Sequence, residues 1–402
     1  MKKTPGWLLL SLLLLAAGSA RAQGNGLTLT LDSAVAVALR VSPRTLVGNL
    51  EVQAARQLRR TNLNLPNPTV FVENPTAERF VGGFTQTTEF PTVYTRQGQL
   101  NAARQDVAEQ ARLAGRTEVV RLTRQTYLAL QFSEARLTQL ARQDSTFAVL
   151  NAATRRLRAA GEIDLLQAVS TDADARQVRN QRRQAQLDQQ NAQRQLRLLL
   201  RLPEDAPLRV MPLGRLAAPP VPANAGDTSL LRTNALLRLE QVRIAESQQA
   251  LRVERARALP GLSFGYLNQG PADAKLYTGV QAGITLPVWY GAYRGQIRAA
   301  QTRVALARAQ YDVARLSTSS AYLQALAEFQ KQTENLAYYE ETGLAQAATL
   351  ASTGARLFRA GETSYYLYIQ SLNQAYQIRQ TYVDALRSYN EALLELNYLR
   401  GE

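Results

Sequence analysis

The sequence predicts a mainly α-helical protein with a small β part, built from two tandem copies of a rod-forming unit. Two proline-free stretches, residues 92–202 and 288–402, each run for over a hundred residues. Proline interrupts helices, so its absence among Ala, Leu, Gln, Arg and Glu permits very long ones. A coiled-coil seam with steps of three and four residues marks the last helix: Ala375, Ile378, Tyr382, Ala385, Tyr389, Ala392, Leu396 and Leu399.

The second stretch repeats the first at an offset of 200 residues. Arg156, Leu157 and Ala160-Gly161-Glu162 recur as Arg356, Leu357 and Ala360-Gly361-Glu362. Upstream, Phe90-Pro91 corresponds to Leu286-Pro287. The pattern therefore predicts one repeat at residues 23–202 and another at 228–402, joined by a linker or irregular strap at 203–227 that is rich in Pro, Ala and Gly.

The first residues have the order of a secretory signal peptide. Lys2 and Lys3 precede an apolar run, and Ala20-Arg21-Ala22 provides a small-x-small cleavage site, so residues 1–22 are expected to be removed. No other segment has the roughly 20 apolar residues that a membrane-spanning helix needs. The sequence predicts export from the cytoplasm.

The composition excludes most enzyme classes. The chain has no cysteine and no histidine, which removes Ser-His and Cys-His nucleophilic sites and the usual zinc ligand sets. A two-carboxylate hydrolase would need gathered acidic residues, and none are gathered. The formal charge is +15, but the arginines are spread along helices and the leader indicates export, so no nucleic-acid partner is expected. We predict no enzyme, cofactor or metal site.

Each repeat is predicted as helix, β-hairpin, long helix, tight turn and medium helix. In the first repeat, proline and glycine place a break near Pro43, extended segments at 69–73 and 84–90 around a loop at 74–83, and a long helix from near Arg96. The hairpins therefore span 69–90 and, in the second repeat, 262–286, where a loop is expected at 268–275. Gly161 and Gly361 are expected as left-handed helix caps, with Glu162 and Glu362 opening the next helices.

The last predicted strand alternates apolar residues with small or polar ones, as a lipid-facing strand does. The predicted lipid-facing residues are Thr278, Val280, Ala282, Ile284 and Leu286. Trp289, Tyr290 and Tyr293 follow and suit a membrane interface, or alternatively core packing. Four strands cannot close a barrel alone, and a membrane does not tolerate open sheet edges. The chain is therefore expected to be an oligomer.

These features together resemble the TolC-like family of outer-membrane efflux proteins, over nearly the whole of residues 27–402. The resemblance is carried by the opening helix at 27–39 with Ser42-Pro43, by residues 258–263 before the second hairpin, and by the paired Ala-Gly-Glu tips. It implies a homotrimer with a 12-stranded barrel in the outer membrane. It also implies an α-barrel of twelve helices that forms a periplasmic tunnel.

The resemblance also implies roles for the helix tips. A periplasmic adaptor, serving an inner-membrane pump of the resistance-nodulation-division type, would contact Arg156, Gly161, Glu162, Arg356, Gly361 and Glu362. The aperture candidates are Asp164, Tyr365, Tyr366, Tyr368 and Gln370. Family members often have aspartates past the second tip, whereas this chain has Leu367 and Gln370 there.

Three alternatives for the function remain. The short first hairpin and the lack of an acylation cysteine favour the heavy-metal (cation) efflux branch. Drug efflux and type I protein secretion are the alternatives within the family. An exported structural coiled coil is the alternative outside it, and such a protein would lack the lipid-facing strand.

Overall fold

The computed structural model describes residues 28–76, 79–218, 233–271, 275 and 277–401. The predicted signal peptide at 1–22, residues 219–227 of the predicted linker and residues 228–232 of the predicted second repeat lie outside the described residues. Of the described helices, none is long and apolar enough to cross a membrane.

The first repeat contains the predicted succession of elements. After the short strand β1 (Thr28–Leu29), Pro43 splits the first helix into α1 (Leu31–Val41) and α2 (Pro43–Leu58), and a 3-10 turn (Arg59–Thr61) follows. The remaining elements are strands β2 (Thr69–Thr76) and β3 (Arg79–Thr88), the long helix α3 (Pro91–Ala159) and helix α4 (Leu165–Leu200).

The second repeat follows the short strand β4 (Arg209–Val210). Its elements are α5 (Ala235–Arg257), β5 (Gly261–Pro271), β6 (Tyr277–Thr285), α6 (Tyr290–Tyr338), a π turn (Tyr339–Gly343), α7 (Leu344–Arg359) and α8 (Tyr365–Arg400). The sequence pattern predicted this order, apart from the π turn and the two short strands.

The strands of both hairpins are longer than predicted, although the hairpins themselves lie within one or two residues of their predicted bounds. The expected loops at 74–83 and 268–275 are largely strand, since β2 continues to Thr76, β3 begins at Arg79 and β5 continues to Pro271. Glycine and proline suggested loops there, but ladder hydrogen bonds keep these residues extended. Gly270, for example, pairs with Phe80. The first hairpin spans Thr69–Thr88 and the second spans Gly261–Thr285, so the first is the shorter of the two.

The helices lie side by side in the same order as the strands to which they are connected. The sheet runs β2-β3-β5-β6, and all neighbours are antiparallel. Below it, α2 and α4 pack against α3, α3 packs against α5 and α8, and these pack against α6 and α7. Two shorter helices thus lie along each long one. Each edge strand is continuous with an edge helix, because α2 leads to β2 and β6 leads to α6.

The predicted coiled-coil seam is confirmed. Six of its eight residues are buried, namely Ala375, Ala385, Tyr389, Ala392, Leu396 and Leu399. All of these except Ala375 pack with Tyr322, Leu326 and Phe329 of α6 in the main core cluster. Alanine lets these helices approach closely while each still buries apolar area.

The π turn absorbs one additional residue in the second long rod. The helical run from Tyr290 to Arg359 is one residue longer than α3, which runs from Pro91 to Ala159. A single π turn accommodates such an insertion without unwinding the helix. It ends at the buried Gly343, where a Cβ atom would lie 2.9 Å from Cδ1 of Tyr339. The first repeat has no counterpart of this turn.

The segment after α4 is a strap across both repeats rather than a free linker. Leu208 and Val210 are buried in the core of the first repeat, and the Tyr127 hydroxyl accepts a hydrogen bond from the Met211 N–H at 3.0 Å. Farther along, the fully buried Asn390 side chain accepts from the Leu216 N–H at 3.0 Å and donates to the Gly214 carbonyl at 2.8 Å. The strap thereby fixes the repeats to each other.

Candidate channel-forming sheet and helix tips

The four-stranded sheet has one apolar and one polar face. The pairs Phe84–Tyr266 and Tyr266–Val280 show which residues share a face, because directly opposed residues in a ladder point the same way. The apolar face contains Val70, Val72, Phe80, Phe84, Leu262, Phe264, Tyr266, Val280, Ala282 and Ile284. The other face is mostly small or polar but also has two aromatic and two aliphatic residues, and it contains Phe71, Glu73, Val81, Thr85, Thr87, Ser263, Gly265, Leu267, Gln269, Tyr277, Gly279, Gln281, Gly283 and Thr285.

The apolar face is exposed. Val280 is 88% exposed and Val70 is 75% exposed, and no described residue of the chain covers either. Thr278, Val280, Ala282 and Ile284 lie on this face as the alternation predicted, whereas Leu286 follows the last strand residue. Trp289 is 83% exposed, so it does not pack in a core of the single chain. An apolar outer face over a polar inner face is the pattern of a barrel in a membrane.

Both tips end in the same hydrogen-bonded cap. At the first, the Glu162 N–H donates to the Leu157 carbonyl at 2.9 Å and the Gly161 N–H donates to the Arg158 carbonyl at 3.0 Å. The second tip repeats both bonds at offset 200. Gly161 and Gly361 have φ of +79° and +72°, so the predicted left-handed caps are confirmed.

The two glutamates do not open the next helices as expected. The N-cap residues are Asp164 and Ser364, whose side chains accept hydrogen bonds from Gln167 N–H at 2.8 Å and Leu367 N–H at 3.3 Å. Glu162 and Glu362 therefore lie in the turn, two residues before the cap. Short oxygen side chains outcompete them because they reach the free N–H groups of the first helical turn.

A cluster of ion pairs around the partly exposed Asp172 holds the helices of the first tip together. Asp172 of α4 accepts hydrogen bonds from Asn151 at 2.9 Å, Arg155 at 3.1 Å and Arg176 at 2.6 Å. These hydrogen bonds lower the pKa of the Asp172 carboxyl from 3.8 to about 2. Further from the tip, Arg182 donates to Asp144 at 2.7 Å. The first repeat thus has the more polar of the two seams.

We expect the first tip to loosen in acid before the second. The lowered pKa means that ionised Asp172 contributes stability above its ordinary pKa of 3.8, and this contribution disappears as pH falls through about 2. Hydrogen exchange, corrected for the intrinsic effect of pH, should show rising exchange at 151–172 in that range. In Asp172→Asn the same amides should exchange faster at neutral pH and lose this pH dependence. Equal pH dependence in the natural protein and in Asp172→Asn would show that Asp172 does not hold the helices of the first tip together.

The second tip is held by aromatic rings instead. Phe358 of α7 stacks on Tyr368 with ring centroids 5.0 Å apart and meets the Tyr365 ring edge-on at 5.6 Å. The position equivalent to Asp172 is Leu372, which is buried. No carboxylate is needed at that position, since burial of apolar area holds this helix pair. The second tip is thus an internal control for the acid experiment.

Helix α8 also binds the two repeats together near the tips. The hydroxyls of Thr154 and Tyr365 share a buried hydrogen bond, and those of Thr146 and Tyr376 lie 2.7 Å apart. The Asn373 amide donates to Asp174 at 3.2 Å. Sequence analysis missed this junction, because Thr154 and Thr146 are ordinary helix residues until the fold places tyrosines beside them.

The structure separates the aperture candidates into two groups. Tyr365 is buried and Tyr368 is half-buried in the aromatic cluster, so they support the tip from within. Tyr366, Gln370 and Asp164 are exposed beside the turns. The predicted adaptor-contact residues Arg156, Gly161, Glu162, Arg356, Gly361 and Glu362 are all exposed as well.

Comparison with known proteins identifies this architecture. Residues 228–402 match the model of a family described as outer membrane efflux protein. Among curated proteins, none matches the chain in sequence. Solved structures do match it over nearly its whole length.

Three such structures illustrate the likeness. CusC superimposes with a TM-score of 0.78 at 16% identity, covering 93% of this chain and 92% of CusC. The outer membrane channel CmeC of Campylobacter jejuni superimposes with a TM-score of 0.76 at 14% identity, and the match covers 92% of this chain and 85% of CmeC. The outer membrane protein VceC of Vibrio cholerae superimposes with a TM-score of 0.75 at 15% identity, and the match covers 92% of this chain and 96% of VceC.

These identities are low, so the superpositions establish the fold, while the family match establishes the kinship of the second repeat. The first repeat has the same arrangement of helices and strands as the second. The family and its structural neighbours are channels rather than enzymes. Residues 228–402 therefore belong to the outer membrane efflux protein family, and the chain as a whole has the fold of CusC, CmeC and VceC.

Proposed function

We propose that the protein is the outer-membrane channel of a tripartite efflux system. Three copies form a barrel in the outer membrane and a helical tunnel in the periplasm, and the tunnel receives cargo from an adaptor and an inner-membrane pump. The observation that carries the proposal is the four-stranded sheet, which is apolar on one face, polar on the other, and open at both edges.

The open edges support assembly from several copies. Strands β2 and β6 each have one neighbour in the described sheet, so each has a row of backbone groups that a hydrocarbon environment would leave without hydrogen bonds. Pairing β6 of one copy with β2 of the next satisfies both rows. Closure also turns every apolar face toward lipid and every polar face toward the lumen.

The number of copies follows from the size of the pore. Two copies would give eight strands, and the interior of an eight-stranded barrel is filled by side chains. Three copies give twelve strands, which leave room for a conduit, and three is the number that the family resemblance implies. The rods beneath the sheet would then form the twelve-helix tunnel.

The trimer can be tested by mass in detergent. We expect light scattering, corrected for bound detergent, to give three times the mass of the mature chain in one monodisperse species. The physical reason is the unsatisfied backbone at both sheet edges. A monodisperse monomer that still inserts into lipid vesicles would overturn the proposed assembly.

We place the periplasmic end of the tunnel at the two tips. The exposed arginines and the Gly-Glu turns are the surfaces available to an adaptor there. Opening requires the helix ends to separate, because the long seams resist bending. The hydrogen bonds of Tyr365 and Tyr376 to the first repeat would hold the closed state, with Asp164, Tyr366 and Gln370 nearest the aperture.

The proposal does not extend to a cargo class. Within the family, the lack of an acylation cysteine and a first hairpin shorter than the second favour the heavy-metal (cation) branch. Drug efflux and type I protein secretion use the same channel architecture and remain alternatives. An exported structural coiled coil would lack the apolar sheet face, so it is disfavoured.

A further inference from the structure

Arginine is concentrated at the end of the sheet that joins the helices. The ten residues nearest to that end in each connecting segment are 59–68, 89–98, 251–260 and 286–295, and we call them the junction belt. The belt has seven arginines, two glutamates and no lysine or aspartate, which gives a charge of +5 (seven minus two). The next ten residues of each segment, 49–58, 99–108, 241–250 and 296–305, have charges of 0, 0, 0 and +2. Positive charge therefore gathers where the sheet ends.

Most of the belt arginines have no acidic partner within the described chain. Glu89 and Glu254, the two glutamates of the belt, both pair with Arg257, at 3.9 Å and 3.2 Å. Six belt arginines thus have no carboxylate of a described residue within ion-pair distance: Arg59, Arg60, Arg96, Arg252, Arg255 and Arg294. All but one of the six are exposed. Such guanidinium groups are available to phosphate, which they bind with two parallel hydrogen bonds.

Apolar side chains are exposed in the same belt. Trp289 is 83% exposed and Val288 is 77% exposed. The other exposed apolar residues of the belt are Leu63, Leu65, Phe90, Leu259, Leu286 and Tyr290. The guanidinium carbon of Arg294 lies 5.7 Å from the centroid of the Tyr290 ring. Aromatic rings beside long basic side chains are typical of the boundary between hydrocarbon and headgroups in a membrane.

We propose that the junction belt binds the headgroups of anionic phospholipids in the leaflet nearest to the helices. The belt is continuous with the apolar outer face of the sheet, so lipid that covers this face brings its headgroups to the level of the belt. An anionic phospholipid supplies the net negative charge that the belt lacks, whereas a zwitterionic lipid supplies none. This inference rests on the proposed insertion of the sheet into the outer membrane, and it names the class of lipid that the protein selects there.

Tryptophan fluorescence can report on the lipid at the belt. The chain has two tryptophans, and Trp7 lies in the segment expected to be removed, so Trp289 is the single emitter of the mature chain. We would reconstitute the mature protein into phosphatidylcholine vesicles that contain an equal fraction of either brominated phosphatidylglycerol or brominated phosphatidylcholine. Bromine quenches tryptophan at short range, so the ratio of the two quenching signals measures the preference for the anionic lipid.

Two triple variants remove the same charge from different places. The belt variant is Arg60→Gln/Arg255→Gln/Arg294→Gln. The matched control is Arg142→Gln/Arg308→Gln/Arg315→Gln. The control arginines are also exposed and have no carboxylate partner among the described residues, but they lie along the long helices outside the belt. Flotation with the vesicles and mass in detergent check insertion and assembly of each protein.

We expect the natural protein to prefer the anionic lipid by about five-fold for each arginine in contact with it. This preference should fall toward one in the belt variant and persist in the control. Salt at about 1 M should also remove it, because the screening length then falls to roughly 3 Å.

Three outcomes would contradict the inference while the channel stands. They are equal quenching by the two lipids in the natural protein, no quenching by either lipid in an inserted trimer, and equal loss of the preference in both triple variants. Equal quenching by the two lipids, with the belt arginines still required for efflux, would assign these arginines to an anionic cargo instead. If the natural protein does not float with the vesicles, the proposed function fails together with this inference.

Discussion

Gly361→Val is expected to abolish efflux while leaving the channel at normal abundance in the outer membrane. Gly361 has φ of +72°, a conformation that costs a residue with a Cβ atom about 1–2 kcal/mol. A Cβ atom at this position would meet nothing within 4 Å, so the damage comes from the backbone and not from a clash. Relief of that strain would reshape the turn and the Gly-Glu surface offered to the adaptor.

The position of the turn explains why the effect should be local. Helices α7 and α8 are held by Phe358, Tyr365 and Tyr368 next to the turn, and the sheet lies at the far end of rods tens of residues long. Assembly should therefore survive. The measurements are outer-membrane abundance, efflux of a transported substrate, and cross-linking to the adaptor.

Two controls isolate the backbone conformation. Gly295→Val makes the same chemical change in open space within α6, where the backbone is helical, and should retain efflux. Gly361→Asn should retain much of it, because asparagine tolerates positive φ better than valine does. Gly161→Val tests the equivalent turn of the first repeat. Normal efflux and adaptor binding in both tip variants, at wild-type abundance, would refute the proposed role of the tips.

Val280→Arg is expected to impair assembly in the membrane. Val280 is 88% exposed on the apolar face of β6, beside Tyr266 of β5. Arginine on the lipid face of a barrel strand costs roughly 2–4 kcal/mol near the bilayer midplane. The free energy of unfolding in lipid vesicles and the yield of assembled protein should both fall.

The next residue provides the matched control. Gln281 is also exposed but faces the polar side of the sheet, since successive residues of a strand point to opposite faces. Gln281→Arg adds the same charge at almost the same depth and should leave stability and yield nearly unchanged. Equal losses in the two variants, or none in Val280→Arg, would show that this face does not contact lipid.

Much of the architecture could be predicted from the sequence because its signals are local or periodic. The absence of proline determined where long helices could form, and the spacing of Ala375, Tyr382 and Tyr389 marked a seam that is indeed packed. The Ala-Gly-Glu motifs located both turns, since a helix that ends in a left-handed cap favours glycine there. The alternation in β6 assigned its faces correctly before any pairing was known.

The tertiary structure alone decided how those pieces meet. The hairpin loops were mispredicted because glycine is read as a loop signal, although ladder pairing outweighs that preference. The second helical run has one residue more than α3, and only the folded structure shows that a π turn accommodates it. Tyr365 was predicted as an aperture residue from the family resemblance, and only the fold shows that its hydroxyl is hydrogen-bonded to Thr154 of the first repeat. Such contacts join residues far apart in the chain, and local sequence patterns do not specify which distant surfaces meet.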